Sequence, residues 1–261
     1  MTRPACSRLP VAVNLPLLLQ ALAAIEEARW QGHFNSAFYS GDWSGVALIS
    51  AVDALTELSP GRGLPVPRAP WSEDRRWREA LRDCSLEIVS ARLLRLGPGG
   101  SIHEHRDYDL GGPDADLRLH IPLLSPPQVD FWLDNQRVPM TAGECWFLDL
   151  SRPHRVDNRS AEPRVHLVLD CRPGPWLEQQ IADGLPTTPA AGAGDSDLAR
   201  FQQRVETDIQ LARALQSVHD IDAFIECAIA LGSGQGLHFT AQELRAAMRN
   251  GRRQWRDQWK A

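Results

Sequence analysis

The chain has 261 residues, 43% of them hydrophobic and 23% charged, so it can bury the core of a globular domain. Its formal net charge of −5, without a run of like charges, argues against a surface that follows nucleic-acid phosphates. Because its apolar runs fall short of the roughly 20 residues that a membrane-spanning helix needs, we expect neither a nucleic acid nor a membrane as partner.

The N-terminal segment predicts a helix and no export signal. Apolar residues at helical spacing predict a helix over 15–29. Arg3 and Arg8 precede an apolar run, as in a signal peptide, but Asn14 and Pro16 interrupt that run. The five cysteines include no CxxC pair, which favours free thiols in a reducing compartment. We therefore expect a cytoplasmic location.

Short strand patterns dominate the middle of the chain. Residues 30–90 are mixed in pattern, and a short helix is expected over 77–82. From Ser85 onward, β-rich or alternating segments recur at roughly ten-residue spacing between turn residues. The predicted strands are 86–96, 117–123, 129–133, 144–148 and 164–170. Such a series is typical of an antiparallel sandwich or barrel, of which the two-sheet jelly roll is one form.

The C-terminal part of the chain has a different pattern. Residues 186–197 (PTTPAAGAGDSD) lack large apolar side chains and predict a linker. Helices are predicted over 198–218 and 223–231, and Thr240 with Glu243 predicts a capping box that begins a third helix. The expected organisation is a large domain over 1–185, a linker over 186–197 and a small all-α domain over 198–261.

His105, Asp107 and His154 form the strongest candidate metal site. His105 and Asp107 are two residues apart at the beginning of a predicted strand, where alternate side chains point to one face. His154 follows 49 positions after His105, a separation that fits several hairpins and a strand returning beside the first. Two imidazoles and one carboxylate on one side of Fe(II) leave adjacent positions open, although zinc accepts the same ligand types.

Arginine and histidine residues on two strands make this site more specific. An HxD pair alone is common, and a solvent-exposed loop explains it equally well. Arg164 lies ten residues after His154 on an alternating strand, and a guanidinium directed into a barrel can clamp a carboxylate. Arg118 and His120 alternate in the same way between the two ligand positions. An unpaired inward arginine would carry a heavy desolvation cost, which an anionic co-substrate would remove.

The segments LRLGPGGSIHEHRD, LRLHIPL, AGECWFLDLSRPHRVDN and PRVHLVLD resemble, in this order, the aspartyl/asparaginyl β-hydroxylase family, which includes bacterial proline hydroxylases. The resemblance runs over residues 43–176. It implies a mainly β chain with a double-stranded β-helix (jelly-roll, cupin-like) core and flanking helices. It also implies Fe(II) as the metal, 2-oxoglutarate as co-substrate and O2 as oxidant.

The same resemblance implies roles for individual residues. The iron ligands of the family match His105, Asp107 and His154. The arginine that holds the far carboxylate of 2-oxoglutarate matches Arg164. An Arg-x-His strand, which lies beside the near carboxylate and the substrate, matches Arg118 and His120. Because related halogenases have a small residue in place of the carboxylate ligand, Asp107 favours hydroxylation. The implied reaction hydroxylates an unactivated carbon of an amino acid, free or within a peptide or natural-product intermediate.

Other interpretations stay open at this point. A cupin-like metal enzyme that does not use 2-oxoglutarate would not need Arg164, and a non-catalytic binding module would use the barrel only as a scaffold. The helical tail resembles the Nif11-type module, which predicts recruitment of a peptide or carrier-bound substrate; a structural cap or a homodimer contact is the alternative. His166 alternates in phase with Arg164 and is expected to face the barrel interior without binding metal.

Overall fold

The computed structural model describes residues 3–59, 61, 63–112, 114–187, 197–216, 218, 220–241, 243–245 and 248. The chain divides into two compact units, residues 1–190 and 191–261. Most of the predicted linker, at 188–196, and the end of the predicted helical domain, after residue 248, lie outside the described residues. None of the helices within the described ranges is long and apolar enough to cross a membrane.

Two antiparallel β-sheets form the body of the first unit. In chain order its strands are β1 (Cys6–Arg8), β2 (Gln31–Gly32), β3 (Tyr39–Ser40), β4 (Trp43–Ala51), β5 (Pro65–Pro67), β6 (Ile88–Leu96), β7 (Ser101–His105), β8 (Leu117–Leu124), β9 (Val129–Leu133), β10 (Gln136–Arg137), β11 (Trp146–Leu148), β12 (His154–Asn158) and β13 (Arg164–Cys171). The larger sheet has the order β1-β11-β8-β13-β6-β4-β2, with β5 paired to β4, and the smaller sheet has the order β10-β9-β12-β7-β3.

The chain passes repeatedly from one sheet to the other. Strands β6, β8, β11 and β13 lie in the larger sheet, whereas β7, β9, β10 and β12 lie in the smaller sheet. This succession is that of a double-stranded β-helix, so the predicted jelly-roll fold is confirmed. Short helices flank the sheets: α1 (Leu15–Ala23), α2 (Ala69–Glu73), α3 (Arg76–Ala80) and α4 (Pro175–Ala182).

Strand periodicity separates the hydrophobic core from the barrel interior. On β8, Leu119 and Ile121 are fully buried in a core cluster that also contains residues of α1 and α3. Successive side chains of a strand point to opposite faces, so Arg118 and His120 point away from this cluster. The same alternation on β13 directs Leu167 into the cluster and Arg164 to the opposite face. Polar side chains of the larger sheet therefore collect between the two sheets.

The first unit differs from the sequence prediction in the end of one helix and in one long strand. The helix expected over 15–29 is wrong in its end, because α1 stops at Ala23 and only a 3-10 turn covers Glu27–Arg29. Strand β4 (Trp43–Ala51) lies in a region for which no strand was predicted, and all of its residues are buried. A strand buried on both faces lacks the alternation of apolar and polar residues by which strands are recognised.

The second unit is helical and has its own core. Its helices are α5 (Asp197–Thr207), α6 (Ile209–Gln216) and α7 (Ile221–Ser233). The prediction of a single helix over 198–218 is wrong, because the helix is interrupted at Asp208. The carboxylate of Asp208 accepts hydrogen bonds from the backbone N–H groups of Gln210 and Leu211, at 2.9 and 3.2 Å. An aspartate that caps the next helix in this way competes with continuation of the preceding helix.

The predicted capping box is present in this second unit. The backbone N–H of Thr240 donates to Oε2 of Glu243 at 2.7 Å, and the N–H of Glu243 donates to Oγ1 of Thr240 at 3.2 Å. Phe201 and Phe239 pack with ring centroids 5.0 Å apart inside the apolar cluster of this unit. Ala228 is fully buried in the same cluster.

Candidate metal site

His105, Asp107 and His154 come together at one end of the smaller sheet. Strands β7 and β12 are antiparallel neighbours, and His105 lies opposite His154 in their register. One potential ligand atom from each of the three side chains lies within 4.8 Å of the others. Among the described residues this is the one group of three or more potential metal ligands that meets this distance.

His105 and Asp107 do not share one strand, contrary to the sequence prediction. His105 is the last residue of β7, and Asp107 follows it with φ −94° and ψ 89°, next to a short 3-10 turn at Tyr108–Leu110. The N–H of Asp107 donates to the carbonyl oxygen of Leu150 at 2.9 Å, which holds this part of the backbone. Even so, Oδ1 of Asp107 lies 3.6 Å from Nε2 of His105. A turn, rather than a strand, therefore brings the two side chains together.

Backbone carbonyl groups orient both imidazoles. Nδ1 of His105 lies 2.7 Å from the carbonyl oxygen of His103, and Nδ1 of His154 lies 3.0 Å from that of Arg152. Because a carbonyl oxygen only accepts, the ring proton of each neutral imidazole belongs on Nδ1, and the Nε2 lone pair is free for a metal. Burial lowers the pKa of His154 to about 4. His154 is therefore neutral and ready to bind a divalent cation at neutral pH.

The carboxylate of Asp107 belongs to a buried ionic network. Nη1 of Arg118 donates to Oδ2 of Asp107, while Nε and Nη2 of Arg118 donate to Asp170 at 2.6 and 3.0 Å. Nη2 of Arg92 also donates to Oδ2 of Asp170, at 2.6 Å. Burial raises the pKa of Asp107, but Arg118 and the two nearby imidazoles outweigh burial and bring the pKa below its ordinary value. Asp107 is therefore ionised, as a metal ligand must be.

Arg164 is a buried cation without a carboxylate partner. Its side chain is 2% exposed, and Nη2 donates to Nδ1 of His166 at 2.8 Å. Its Nε has no hydrogen-bond partner, and within the described part of the chain no carboxylate forms an ion pair with it. Burial lowers the pKa of Arg164 to about 9. Such a group carries a large desolvation cost, which an anionic ligand would offset.

The metal-site residues and Arg164 line one cavity of about 470 Å³. Arg118 and His120 also line it, so all six residues predicted from the sequence meet there. Burial holds the pKa of His120 well below its ordinary value, and its Nε2 has no partner among the described residues. Arg118 and Arg164 therefore lie inside the barrel and not on its solvent-exposed surface.

Aromatic side chains from the segment before the barrel form another wall of this cavity. His33 stacks on Trp43 with ring centroids 3.5 Å apart, and Phe38 lies 5.5 Å from the ring of His105. Phe34 also stacks on His33, with ring centroids 4.5 Å apart. None of these four rings was among the site residues predicted from the sequence. The spacing of these four rings has no regular period, so no local pattern marks them.

Comparisons with known proteins agree with the resemblance seen in the sequence. Residues 77–173 match the family model described as aspartyl/asparaginyl beta-hydroxylase, and this segment contains β6–β13 and all six predicted site residues. The chain is 27% identical over 158 residues to an L-proline cis-4-hydroxylase of Rhizobium meliloti (strain 1021). That match covers 59% of this chain and 55% of the relative, so the chain spans about half the length of that curated relative. The predicted resemblance to this family is confirmed.

Solved structures with similar sheets include a carbocyclase and a member of an oxygenase family. A non-heme alpha-ketoglutarate dependent carbocyclase, SnoK from nogalamycin biosynthesis, aligns with a TM-score of 0.44 and 15% identity over 73% of this chain and 90% of that chain. A 2OG-Fe(II) oxygenase family oxidoreductase from Burkholderia pseudomallei aligns with a TM-score of 0.41 and 13% identity, over 60% of this chain and 78% of that chain. Similarity this loose assigns no activity.

Proposed function

We propose that this chain is an Fe(II)- and 2-oxoglutarate-dependent hydroxylase that acts on an unactivated carbon of an amino acid, free or within a peptide or natural-product intermediate. The main support is Arg164. Its buried guanidinium has no carboxylate partner among the described residues and lines the same cavity as a His-Asp-His group. A metal enzyme without an anionic co-substrate would leave this cation uncompensated.

Each of the three side chains would bind the metal through one atom. Nε2 of His105, Nε2 of His154 and Oδ1 of Asp107 would hold Fe(II), since the other polar atom of each side chain is already hydrogen bonded. Fe(II) held in this way supplies the activation of O2 for C–H oxidation. Three protein ligands leave adjacent coordination positions open for the co-substrate.

Arginine and histidine side chains would position 2-oxoglutarate. Arg164 would bind the far carboxylate through its planar guanidinium, which suits bidentate contact with a carboxylate. His120 lines the same cavity as Arg164 and the metal-site residues, and its Nδ1 lies 3.3 Å from Nδ1 of His166. Arg118 would act chiefly by orienting Asp107, because its nitrogen atoms are engaged by Asp107 and Asp170; by family resemblance it also lies beside the near carboxylate.

The aromatic wall supports a substrate with an apolar carbon framework. Phe34 is 47% exposed and Phe38 is 38% exposed, so both offer apolar surface to a ligand in the cavity. Contact with these rings would hold a C–H bond near the metal and exclude water from it. A relative named L-proline cis-4-hydroxylase is consistent with a small amino acid of this kind. We therefore propose an amino acid with an apolar side chain or ring.

Several further predictions concern the setting of this activity. A cytoplasmic location, a homodimer, and recruitment of a peptide or carrier-bound substrate by the Nif11-like helical unit stay predictions from the sequence. The domain limits proposed from the sequence, 1–185 and 198–261, stay predictions as well.

Anaerobic titration of the full chain with Fe(II) and 2-oxoglutarate tests the proposal. A weak visible charge-transfer band should appear when both are present and should be absent in His154→Ala. A cupin-like enzyme that does not use 2-oxoglutarate would bind iron without the band, and a non-catalytic module would not bind iron. Either result would overturn the proposal. Succinate release with a panel of amino acids and peptides then identifies the substrate.

A further inference from the structure

His166 is the one hydrogen-bond partner of the Arg164 guanidinium within the described residues. Nη2 of Arg164 lies 2.8 Å from Nδ1 of His166, and the two residues are 2% and 1% exposed. They are two positions apart on β13, so strand alternation places both side chains on the interior face. Arg164 lines the cavity, whereas His166 does not and lies behind it.

The partner of His166 determines its tautomer. A guanidinium has only donors, so Nδ1 of His166 must accept, and the ring proton of the neutral imidazole belongs on Nε2. Burial, together with the charge of Arg164, holds the pKa of His166 well below its ordinary value, which keeps the ring neutral. His166 therefore presents a lone pair, and no charge, to Arg164.

His120 meets the same nitrogen atom. Its Nδ1 lies 3.3 Å from Nδ1 of His166. Since Nδ1 of His166 has no proton, the hydrogen atom in this contact must come from Nδ1 of His120. One nitrogen atom thus orients two side chains that line the cavity, Arg164 and His120.

A neutral acceptor beside Arg164 acts on the guanidinium differently from a carboxylate. An aspartate beside Arg164 would neutralise the guanidinium and would compete with an incoming anion for it. An imidazole lone pair limits the rotation of the guanidinium and leaves its positive charge uncompensated. Orientation and free charge are the two properties that an anion clamp needs.

We propose that His166 is a positioning residue, which holds Arg164 and His120 in the geometry that receives the dicarboxylate while keeping the charge of Arg164 free. This inference rests on the proposed function, because the dicarboxylate is 2-oxoglutarate. His166 would act through Arg164 and His120, and not by contact with the metal-site residues or with the aromatic wall of the cavity.

Calorimetric titration of 2-oxoglutarate into the full chain, with Mn(II) in place of Fe(II), tests this role. His166→Asn keeps a neutral acceptor, and we expect its affinity to stay within about threefold of the wild type. His166→Asp has nearly the same shape but adds a charge, and we expect a loss of about 100-fold or more. His166→Leu removes the acceptor and should lose about 10- to 100-fold. His238→Asn, in the second unit, is the matched control and should bind as the wild type does.

Stability and metal affinity separate this role from a purely structural one. His166→Asp should melt no lower than His166→Asn, since its new carboxylate pairs with Arg164, and Mn(II) affinity should be the same in both. Equal 2-oxoglutarate affinity of the Asn and Asp variants would overturn the inference alone, as would wild-type affinity of His166→Leu. A wild type that binds Mn(II) but no 2-oxoglutarate would overturn the proposed function as well.

Discussion

Arg118 donates a hydrogen bond to Oδ2 of Asp107, and Oδ1 of the same carboxylate lies 3.6 Å from Nε2 of His105. One oxygen atom of the carboxylate is therefore engaged by the protein, and the other is left for a metal. Asp170 holds Arg118 from behind through two hydrogen bonds. This arrangement favours a single bond from Asp107 to the metal, which preserves open coordination positions.

Replacement of Arg118 should weaken both the fold and the metal site. In Arg118→Met, Asp107 and Asp170 lose their shared partner inside the protein, and we expect a loss of about 3–5 kcal/mol in the free energy of unfolding. Mn(II) affinity should fall about 10- to 100-fold, because Asp107 is no longer oriented. Denaturant unfolding and metal titration measure the two effects. Arg118→Lys, which keeps the charge without the planar fork, should give an intermediate affinity, and unchanged metal affinity in Arg118→Met would contradict this role.

Removal of the metal should abolish the reaction reversibly. Dialysis against a chelator should stop succinate formation, and addition of Fe(II) should restore it, because the ligand side chains are held by the fold rather than by the metal. His105→Ala should not recover on addition of Fe(II), since it lacks one of three ligands. Succinate assays on both proteins give the comparison. Activity of the chelated wild type without added metal would contradict a metal requirement.

Replacement of Arg164 should weaken the binding of 2-oxoglutarate without lowering the free energy of unfolding. In Arg164→Met, loss of the clamp should raise the KM for 2-oxoglutarate about 100-fold or more. The same change removes a buried charge without a carboxylate partner among the described residues, so the free energy of unfolding should be unchanged or higher. Steady-state kinetics and thermal unfolding measure these two quantities. A destabilised variant with a normal KM would show that Arg164 supports only the fold.

Acid should destabilise the metal-free protein through its buried imidazoles. Burial holds the pKa values of His120 and His166 well below their ordinary values. Below about pH 6.5 the unfolded chain therefore binds more protons than the folded protein, and the free energy of unfolding falls as pH falls. Each such imidazole contributes a slope of up to about 1.4 kcal/mol per pH unit. Chemical unfolding between about pH 7.5 and pH 5.5 should show this decline, with a shallower slope in His166→Asn. Parallel slopes for the two proteins would contradict the assignment.

Replacement of Phe38 should weaken the binding of the amino-acid substrate and leave the binding of 2-oxoglutarate unchanged. Phe38→Ala removes apolar surface next to His105, and we expect the KM for the amino-acid substrate to rise about tenfold. The affinity for 2-oxoglutarate should stay unchanged, because Arg164 lies on β13 whereas Phe38 lies in a 3-10 turn before β3. Once a substrate is identified, steady-state kinetics with each substrate varied in turn measure both values. A matching rise in both KM values would indicate a general distortion of the cavity instead.

The residues that carry the chemistry could be found in the sequence because local geometry determines their relation. Arg118 and His120, like Arg164 and His166, are two apart on alternating strands, and period-two geometry alone places each pair on one face. The candidate ligands were found in the same way, although a turn and not a strand brings Asp107 beside His105.

Tertiary structure alone decided which groups surround these residues. Strand β4 has no alternation because both of its faces are buried, and Phe38 reaches the cavity from a segment without regular pattern. The pairing of Arg118 with Asp170 joins residues 52 positions apart, through the register of β8 and β13. The sequence by itself therefore indicated the candidate ligands and the clamp, because the residue types, spacing and order of several segments resemble those of a known family. Only the packing of distant strands decided that Arg118 is neutralised while Arg164 keeps a free charge, because the partners of a charge depend on contacts between strands and not on their order along the chain.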